Sequence, residues 1–434
     1  MISRWQFVLT QVFHKLWFRA TLFAIAAILT ALISIAVKSF IPPAFSGIVG
    51  AKAVDNILNI LASSMLAVTT FSLSIVVTAY GSATTNVTPR ATRLVVEDTT
   101  TQNVLATFIG SFLFSLVGII ALNMGAYGER GRVILFVVTL VVIALIVLTL
   151  LRWIQHLTSL GRVGETTARV ENAALRAFHA RAESPCLGCF PWVESGTQPE
   201  GTQAIFSPSV GYVEHIDIGK LAAMLAGSPI HVYIAAQPGH FAHPSQAVMY
   251  TTEKCSDAFR QRLLSALSIS DARSFHQDPR FCLCVMAEIA CRALSPAVND
   301  PGTAIDVITR GVRVLSVWAE QTEQAEQKAQ VLYPQIHLAP LNPDNLFDDI
   351  FSPVARDGAA MREVQLRLLK SLAMLAKAWP ERYASVARKH AEEVMNHVTR
   401  AGHIQPDRVL LRSTFDALFT RELAKGEKNS ATRL

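Results

Sequence analysis

Between Arg132 and Arg152 the chain runs Val-Ile-Leu-Phe-Val-Val-Thr-Leu-Val-Val-Ile-Ala-Leu-Ile-Val-Leu-Thr-Leu-Leu, nineteen residues without a charge. A helix rises about 1.5 Å per residue, so this run spans about 28 Å, the thickness of the hydrocarbon core of a bilayer. A helix that is apolar on every side is typical of a membrane span, whereas a helix on the surface of a soluble protein has one polar face. The run therefore predicts a membrane protein.

Three further stretches of low charge precede this run and predict a transmembrane domain of four helices, at about 21–41, 57–80, 104–122 and 133–151. The leader, residues 1–20, has Trp5 and Trp17 near its ends, which predicts an interfacial helix. A plain N-terminal extension of the first span is the alternative. The first apolar run is longer than that of a typical secretory signal, so we expect this helix to be retained.

Lysine and arginine are enriched on one side of the predicted spans. That side holds the leader, the second loop and the segment after the fourth span, with Arg4, Lys15, Arg19, Arg90, Arg93, Arg152, Arg162, Arg169, Arg176 and Arg181. The positive-inside rule therefore predicts a multi-pass protein with both termini and the large C-terminal region in the cytoplasm. The net charge of +6 fits contact with anionic lipid. No basic-aromatic module for nucleic acid is present, so the expected partner is the lipid bilayer.

The second predicted span carries a stripe of small and hydroxyl-bearing residues. Helical spacing places five of them on one face: Ser63, Ala67, Thr70, Ser74 and Thr78. Such a stripe either lets helices pack closely, with hydroxyls bonding across the contact, or lines a wet pathway where hydroxyls replace part of an ion's hydration shell. Residues 57–80, 104–122 and 133–151 contain no Asp, Glu, Lys, Arg or His, which argues against a proton-coupled pump.

About 280 residues follow the last span and predict an α+β cytoplasmic domain with a sizeable core. Residues 152–202 predict a helix that continues the fourth span, followed by a loop rich in Pro, Gly and Ser. Short β-like runs within 203–252 predict a small β-barrel or sandwich. From 253 to 434 the pattern predicts a helical subdomain, interrupted by a proline-rich loop at 334–353.

One segment is distinctive: Arg273-Ser-Phe-His-Gln-Asp-Pro-Arg-Phe281, followed by Arg292-Ala-Leu-Ser-Pro-Ala-Val-Asn-Asp-Pro-Gly-Thr-Ala304. The second part resembles the ALSPxxNDPxTA signature of a widespread bacterial family of predicted membrane proteins with an unassigned function. Thr88-Pro-Arg90 is similar to the family's Pro-Arg turn, and Pro238-Gly-His-Phe241 is similar to its PGDF turn, with His240 in place of the usual acid. The resemblance covers nearly the whole chain. It implies four transmembrane helices and a cytoplasmic domain in a bacterial inner membrane, and no particular activity.

The signature has two interpretations. In the first it is an ordered corner between helices, in which Asn299 and Asp300 cap a helix that begins near Thr303. In the second it is a polar binding or catalytic site formed by Asn299, Asp300, His276 and Asp278, because polar loop residues often bind ligands. Both interpretations use the same candidate residues: Pro89, Arg90, Arg273, His276, Asp278, Ser295, Pro296, Asn299, Asp300, Pro301 and Thr303.

Motifs for other chemistry are weak. Cys186-Leu-Gly-Cys189 is a single CxxC pair, whereas zinc takes four ligands, so the two cysteines are weak metal candidates. The chain has no Walker A loop, Gly-rich dinucleotide fingerprint, GxSxG elbow or HExxH motif. We therefore predict no metal and no cofactor, and we favour a function other than enzymatic catalysis.

Three functions remain open at this point. The first is a homo-oligomeric inner-membrane channel, in which the second span lines a pore for ions and the cytoplasmic domain forms a vestibule or gating ring. The second is a non-conducting membrane scaffold or sensor that binds a ligand or partner through its cytoplasmic domain. The third is a membrane-anchored enzyme that uses the segment Ser295-Pro-Ala-Val-Asn-Asp-Pro301.

Overall fold

The computed structural model describes residues 51–419, except 97, 126, 127, 194–197 and 327–329, together with scattered positions between 18 and 29. The predictions for the leader and the first span thus lie almost wholly outside the described residues. Contacts divide the chain into two units. We call residues 2–85 and 92–165 the membrane unit, and residues 86–91 and 166–434 the C-terminal unit.

The membrane unit is built from helices. They are α1 (Ala51–Asn86), α2 (Pro89–Val96, whose first residues belong to the C-terminal unit), α3 (Thr99–Asn123) and α4 (Gly128–Leu157). Three described helices are long and apolar enough to cross a membrane, over Lys52–Asn86, Thr99–Asn123 and Gly131–Leu157. They correspond to the second, third and fourth predicted spans, and they extend past the apolar windows because polar residues continue the helical turns at both ends.

Helix α3 is the most buried of the three spans, since over half of its most apolar window is covered by its neighbours. Its small polar residues Thr107, Ser111 and Ser115 are all buried. Ser111 and Ser115 each donate a hydrogen bond to the carbonyl four residues earlier, at 2.7 and 2.9 Å. Hydroxyls satisfied in this way let neighbouring helices approach closely without an unpaired donor. Trp153 of α4 donates from Nε1 to the buried Oγ of Ser72, at 3.1 Å.

The fourth span does not continue as a single helix, in contrast to the prediction for the start of residues 152–202. Helix α4 ends at Leu157, and a separate helix α5 spans Val163–Glu183. Between them Gly161 has φ +78°, a conformation that favours glycine, and its Cα faces the backbone of Ala79, so that a Cβ would lie only 3.3 Å from the Ala79 Cα. The chain therefore turns at Gly161.

The C-terminal unit contains two β-sheets, and a short helix, α6 (Ile218–Leu225), lies between the third and fourth strands. The strands are β1 (Cys189–Pro191), β2 (Gln203–Phe206), β3 (Gly211–Ile216), β4 (Val232–Ile234), β5 (Phe241–Ala242), β6 (Ala247–Thr251), β7 (Leu267–Ser270) and β8 (Tyr333–Leu338). One sheet has the order β1-β8-β4-β6-β2 and the other β5-β3-β7. The region 203–252, where short β-like runs were predicted, contains strands β2 to β6, whereas closure into a barrel or sandwich stays a prediction.

Two strands lie outside the predicted β region. Strand β8 falls in the stretch 334–353, where a proline-rich loop was predicted, so that prediction is wrong. Ile336 and Leu338 point into the core, and β8 pairs in parallel with both β1 and β4. The rest of this stretch is also ordered: α10 spans Pro343–Ile350 and α11 begins at Ser352. Pro343 occupies the first turn of α10, where a missing N–H costs nothing.

The remaining described helices of the C-terminal unit lie between the later strands and after β8. They are α7 (Asp257–Leu264), α8 (Pro279–Ala293), α9 (Pro301–Glu326), α10, α11 (Ser352–Asp357), α12 (Arg362–Ala378), α13 (Pro380–Arg400) and α14 (Gln405–Phe419). The side chain of Ser256 caps α7 by accepting a hydrogen bond from the Phe259 N–H. Buried Glu171 of α5 accepts hydrogen bonds from Arg310 (2.5 Å) and Arg313 of α9, which ties the two helices together.

Candidate functional site

A polar cavity of about 560 Å³ lies within the C-terminal unit. Its wall combines the turn after β4 with the first residues of α8 and α10. Its lining includes Arg181, Gln237, Gly239, His240, Arg273, Asp278, Arg280 and Asn342. Burial lowers the pKa of His240, so this side chain is neutral over more of the physiological pH range than an exposed histidine.

Asp278 lines one wall of this polar cavity and is buried, with only 2% of its surface exposed. Its carboxylate accepts two hydrogen bonds from Arg273, at 2.7 and 3.0 Å, and a third from the backbone N–H of Phe281, at 3.0 Å. The third bond caps the N-terminus of α8, and Pro279 follows in the first helical turn. Asp278 therefore fixes both the start of α8 and the direction of the Arg273 side chain.

Gly239 packs directly against this ion pair. Its φ is +89°, and a Cβ at this position would lie 2.6 Å from the Asp278 Cγ, well inside the contact distance of two carbons. The backbone is held there by hydrogen bonds from the Gly239 N–H to the Val213 carbonyl (2.8 Å) and from the Val213 N–H to the His240 carbonyl (2.9 Å). Glycine is thus required at position 239 for two reasons: the backbone has a positive φ, and the Asp278 carboxylate lies where a Cβ would be.

Arg181, near the end of α5, is buried in the same wall, with 6% of its surface exposed. Its Nη2 donates a hydrogen bond to Gln237 Oε1 at 3.0 Å, and Gln237 Nε2 donates to the Ala339 carbonyl at 3.2 Å. Nε and Nη1 of Arg181 have no hydrogen-bond partner in the part of the chain that the structure describes. Burial lowers the pKa of Arg181 from its usual value, although an arginine remains charged at neutral pH.

The second half of the signature forms a tight corner between α8 and α9. Asp300 accepts hydrogen bonds from the N–H of Thr303 (3.0 Å) and from its hydroxyl (2.5 Å), and so caps α9. Ser295 Oγ donates back to the Arg292 carbonyl at 2.7 Å. Asn299 takes a left-handed conformation, φ +50°, and its N–H donates to the Ser295 carbonyl at 2.8 Å. Pro296 and Pro301 stiffen this turn.

The two halves of the signature do not meet. Asp278 stands at the start of α8 and Asp300 follows its end, and a helix of 15 residues is about 22 Å long. His276 and Asp278 therefore cannot share one active site with Asn299 and Asp300. The structure removes the geometric basis of the enzyme hypothesis that joined them.

The Pro89-Arg90 turn contacts the same helix at a third point. Thr88 Oγ1 donates a hydrogen bond to Glu288 Oε2 at 2.9 Å, and Arg90 forms an ion pair with the other oxygen of Glu288. These residues border a separate pocket of about 440 Å³ that also includes Arg292. The signature stretches thus all contact helix α8, at its start, near its middle and at its end. Arg181, Gln237 and Glu288, which complete these contacts, were not predicted.

The five stripe residues of the second predicted span all lie on the exposed face of α1. Ser63, Thr70 and Thr78 each donate a hydrogen bond to a carbonyl of the preceding turn, at 3.0, 2.9 and 2.9 Å. The side chains of all five are exposed, so no other described helix of the membrane unit covers them.

Cys186 and Cys189 are both buried in the core of the β-sheets. Burial raises the pKa of Cys189 to about 12 and also raises that of Cys186. Thiols of this kind stay protonated at neutral pH, whereas metals bind thiolates. Within the described ranges no group of three or more His, Cys, Asp or Glu side chains is arranged to hold a metal ion.

Comparison with known proteins places the chain in a family. Residues 14–374 match the model of the family described as "Predicted membrane protein (DUF2254)". The uncharacterized proteins Rv1290c of Mycobacterium tuberculosis and Mb1321c of Mycobacterium bovis are each 26% identical over 276 residues, which is 61% of this chain and 52% of theirs. The chain therefore spans about half the length of these curated relatives. No solved structure matches it. Since the family model covers most of the chain, the protein belongs to the DUF2254 family of predicted membrane proteins.

Proposed function

We propose that the protein is a homo-oligomeric channel of a bacterial inner membrane, with α1 around the pore and the C-terminal unit as a cytoplasmic vestibule or gating domain. One observation carries the proposal. The exposed face of α1 continues the predicted stripe in both directions, at spacings of three and four residues, and every position is polar or small: Lys52, Asn56, Asn59, Ser63, Ala67, Thr70, Ser74, Thr78, Gly81 and Thr85.

The described helices of the membrane unit leave that face exposed. In α3 the comparable residues Thr107, Ser111 and Ser115 are buried between helices, where small side chains allow close approach. On α1 residues of the same kind are exposed along the helix, beside exposed large apolar side chains such as Ile60 and Val77. Lipid gains nothing from contact with amides and hydroxyls, so such a face is better covered by another copy of α1 or by water.

Large apolar side chains flank the stripe. At 100° per residue Phe71 lies on one side and Leu66 and Leu73 on the other, and all three are exposed. These side chains suit contacts between neighbouring subunits, with the polar stripe turned toward the axis. Hydroxyls around a wet axis replace part of the hydration shell of a passing ion.

A gating connection follows from the chain itself. Helix α1 ends at Asn86, and the next residues belong to the C-terminal unit, where Thr88 and Arg90 contact Glu288. A shift of α8 in response to a ligand would therefore act on the end of α1 through at most a few residues of backbone. The predicted topology, with both termini in the cytoplasm, places the C-terminal unit on the cytoplasmic side of the pore.

The test is water access to the stripe in liposomes that contain the full-length protein. We expect Ser74→Cys to react with a membrane-impermeant cationic methanethiosulfonate, and the reaction to reduce ion flux, because a bulky charge then stands in the pore. The matched control is Val141→Cys on α4, whose side chain is 63% exposed on an apolar face and which should contact lipid. Wild-type protein gives the background from the native cysteines.

The contrast between the two variants decides the outcome. Reaction at Ser74→Cys without reaction at Val141→Cys supports the pore. If neither thiol reacts and no flux is measured from assembled oligomers, the channel proposal is wrong.

A non-conducting sensor is the second candidate, and the polar cavity of the C-terminal unit favours it. Buried Arg181 has two nitrogens without a partner among the described residues, which suits a ligand-binding domain. In this case copies of α1 pack through their stripes without water between them. The protein would then assemble, Ser74→Cys would stay unreactive, and no ions would pass.

A further inference from the structure

The polar cavity contains a buried cation that forms no ion pair of its own among the described residues, although the Asp278 carboxylate lies close enough to interact with it electrostatically. Arg181 is 6% exposed, and its single described hydrogen bond goes to the neutral amide oxygen of Gln237. The N–H groups on Nε and Nη1 have no acceptor in the described part of the chain. A buried guanidinium without an anion is unfavourable, because burial removes its hydration and nothing replaces it.

The carboxylates around this cavity are already engaged. Asp278 is held by two hydrogen bonds from Arg273, at 2.7 and 3.0 Å. Asp349 accepts two from Arg280, at 2.7 and 3.0 Å. Arg181 is therefore the cation of this wall that lacks a carboxylate partner among the described residues, and the cavity has an excess of positive charge.

Two helices add to this positive potential. Helices α8, with 15 residues, and α10, with eight, both begin at the cavity, since Pro279 and Asn342 are among its lining residues. The N-terminus of a helix bears a partial positive charge and favours nearby anions. The helix termini contribute less to anion binding than Arg181, because Asp278 and Asn342 already accept hydrogen bonds from backbone N–H groups there.

We propose that the cavity binds a small anion through a phosphate or carboxylate group, with Arg181 as the residue that pairs with it and Gln237 as the residue that positions Arg181. The fork of a guanidinium matches the oxygens of either group. A volume of about 560 Å³ is ample for such a molecule. This site goes beyond the proposed pore and does not depend on it, since binding is measured without any ion flux.

The experiment uses the full-length protein in detergent, with sodium phosphate and sodium citrate as separate probes. Thermal unfolding is followed at increasing probe concentration, against sodium chloride at equal ionic strength. We expect a saturable rise of the unfolding midpoint with at least one probe. A response to phosphate alone assigns a phosphate ligand, and a response to citrate alone assigns a carboxylate ligand.

Arg181→Met supplies the decisive comparison, because it removes the charge and keeps a long apolar side chain. We expect this variant to unfold at a midpoint no lower than that of the wild type without anion, and to bind the probe at least about tenfold more weakly. Arg388→Met is the matched control: this arginine is about half exposed on α13, outside the cavity, and its variant should respond like the wild type.

Gln237→Glu provides the second variant if Arg181→Met does not fold. It places a carboxylate at the position 3.0 Å from Arg181 Nη2, where it competes with an external anion, and we again expect binding at least about tenfold weaker. The proposal is overturned if neither probe stabilises the wild type, or if Arg181→Met, or Gln237→Glu in its place, responds as the wild type does.

Discussion

Replacement of Asp278 by alanine is expected to lower the free energy of unfolding of the C-terminal unit by about 3–5 kcal/mol, the usual cost of removing one partner of a buried ion pair. Asp278 is almost fully buried and the side chain of Arg273 is 23% exposed, so the substitution leaves a largely buried guanidinium without its carboxylate. It also removes the cap of α8, which contributes about 1 kcal/mol.

Urea unfolding of the full-length protein in detergent, followed by tryptophan fluorescence, measures this loss. The matched control is Asp257→Ala. Asp257 also stands in the first turn of a helix and contacts an arginine, but its side chain is 95% exposed. Its removal should change the free energy by no more than about 0.5 kcal/mol. Equal effects of the two substitutions would show that the Arg273–Asp278 pair does not organise this wall.

Replacement of Gly239 by alanine is expected to lower the free energy of unfolding by about 3 kcal/mol or more. Two costs combine: the left-handed conformation, at about 1–2 kcal/mol, and the overlap of the new Cβ with the Asp278 carboxylate, at about 1–3 kcal/mol. Gly227→Ala separates them, because Gly227 has φ +76° and nothing within 4 Å of a Cβ, so only the conformational cost applies there.

The two substitutions should also couple. In a protein that already carries Asp278→Ala the carboxylate is gone, so Gly239→Ala should cost no more than Gly227→Ala does. The same urea experiment on the double variant gives the coupling free energy, expected at about 1–3 kcal/mol. Strict additivity would contradict the contact between Gly239 and Asp278.

The three described helices that could cross a membrane were predictable because each depends on a local property, a window of apolar residues as long as a bilayer is thick. The helix ends were not predictable in this way, because α1 continues to Asn86 through polar residues that lie outside the apolar window. Strand β8 was missed for a different reason. Its partners β1 and β4 lie more than a hundred residues earlier in the chain, and the alternation of Ile336 and Leu338 is short and follows Pro334.

The candidate site was predictable only in part. Arg273 and Asp278 stand out because they belong to a distinctive motif, and the structure joins them. Arg181 appeared in the sequence as one of several basic residues that flank the fourth span, yet it is buried. Its partner Gln237 is 56 residues away, and Glu288 is 198 residues from Arg90. Such contacts arise from tertiary packing, and spacing within a motif does not encode them.

The central claim, that copies of α1 surround a wet axis, is tested most directly by an image of the purified full-length protein in nanodiscs with symmetry left free. We expect a closed ring in which Ser63, Thr70 and Ser74 of each copy face an axial opening. A monomer, or an assembly whose axis is filled by apolar side chains while the stripe of α1 faces lipid, would contradict it.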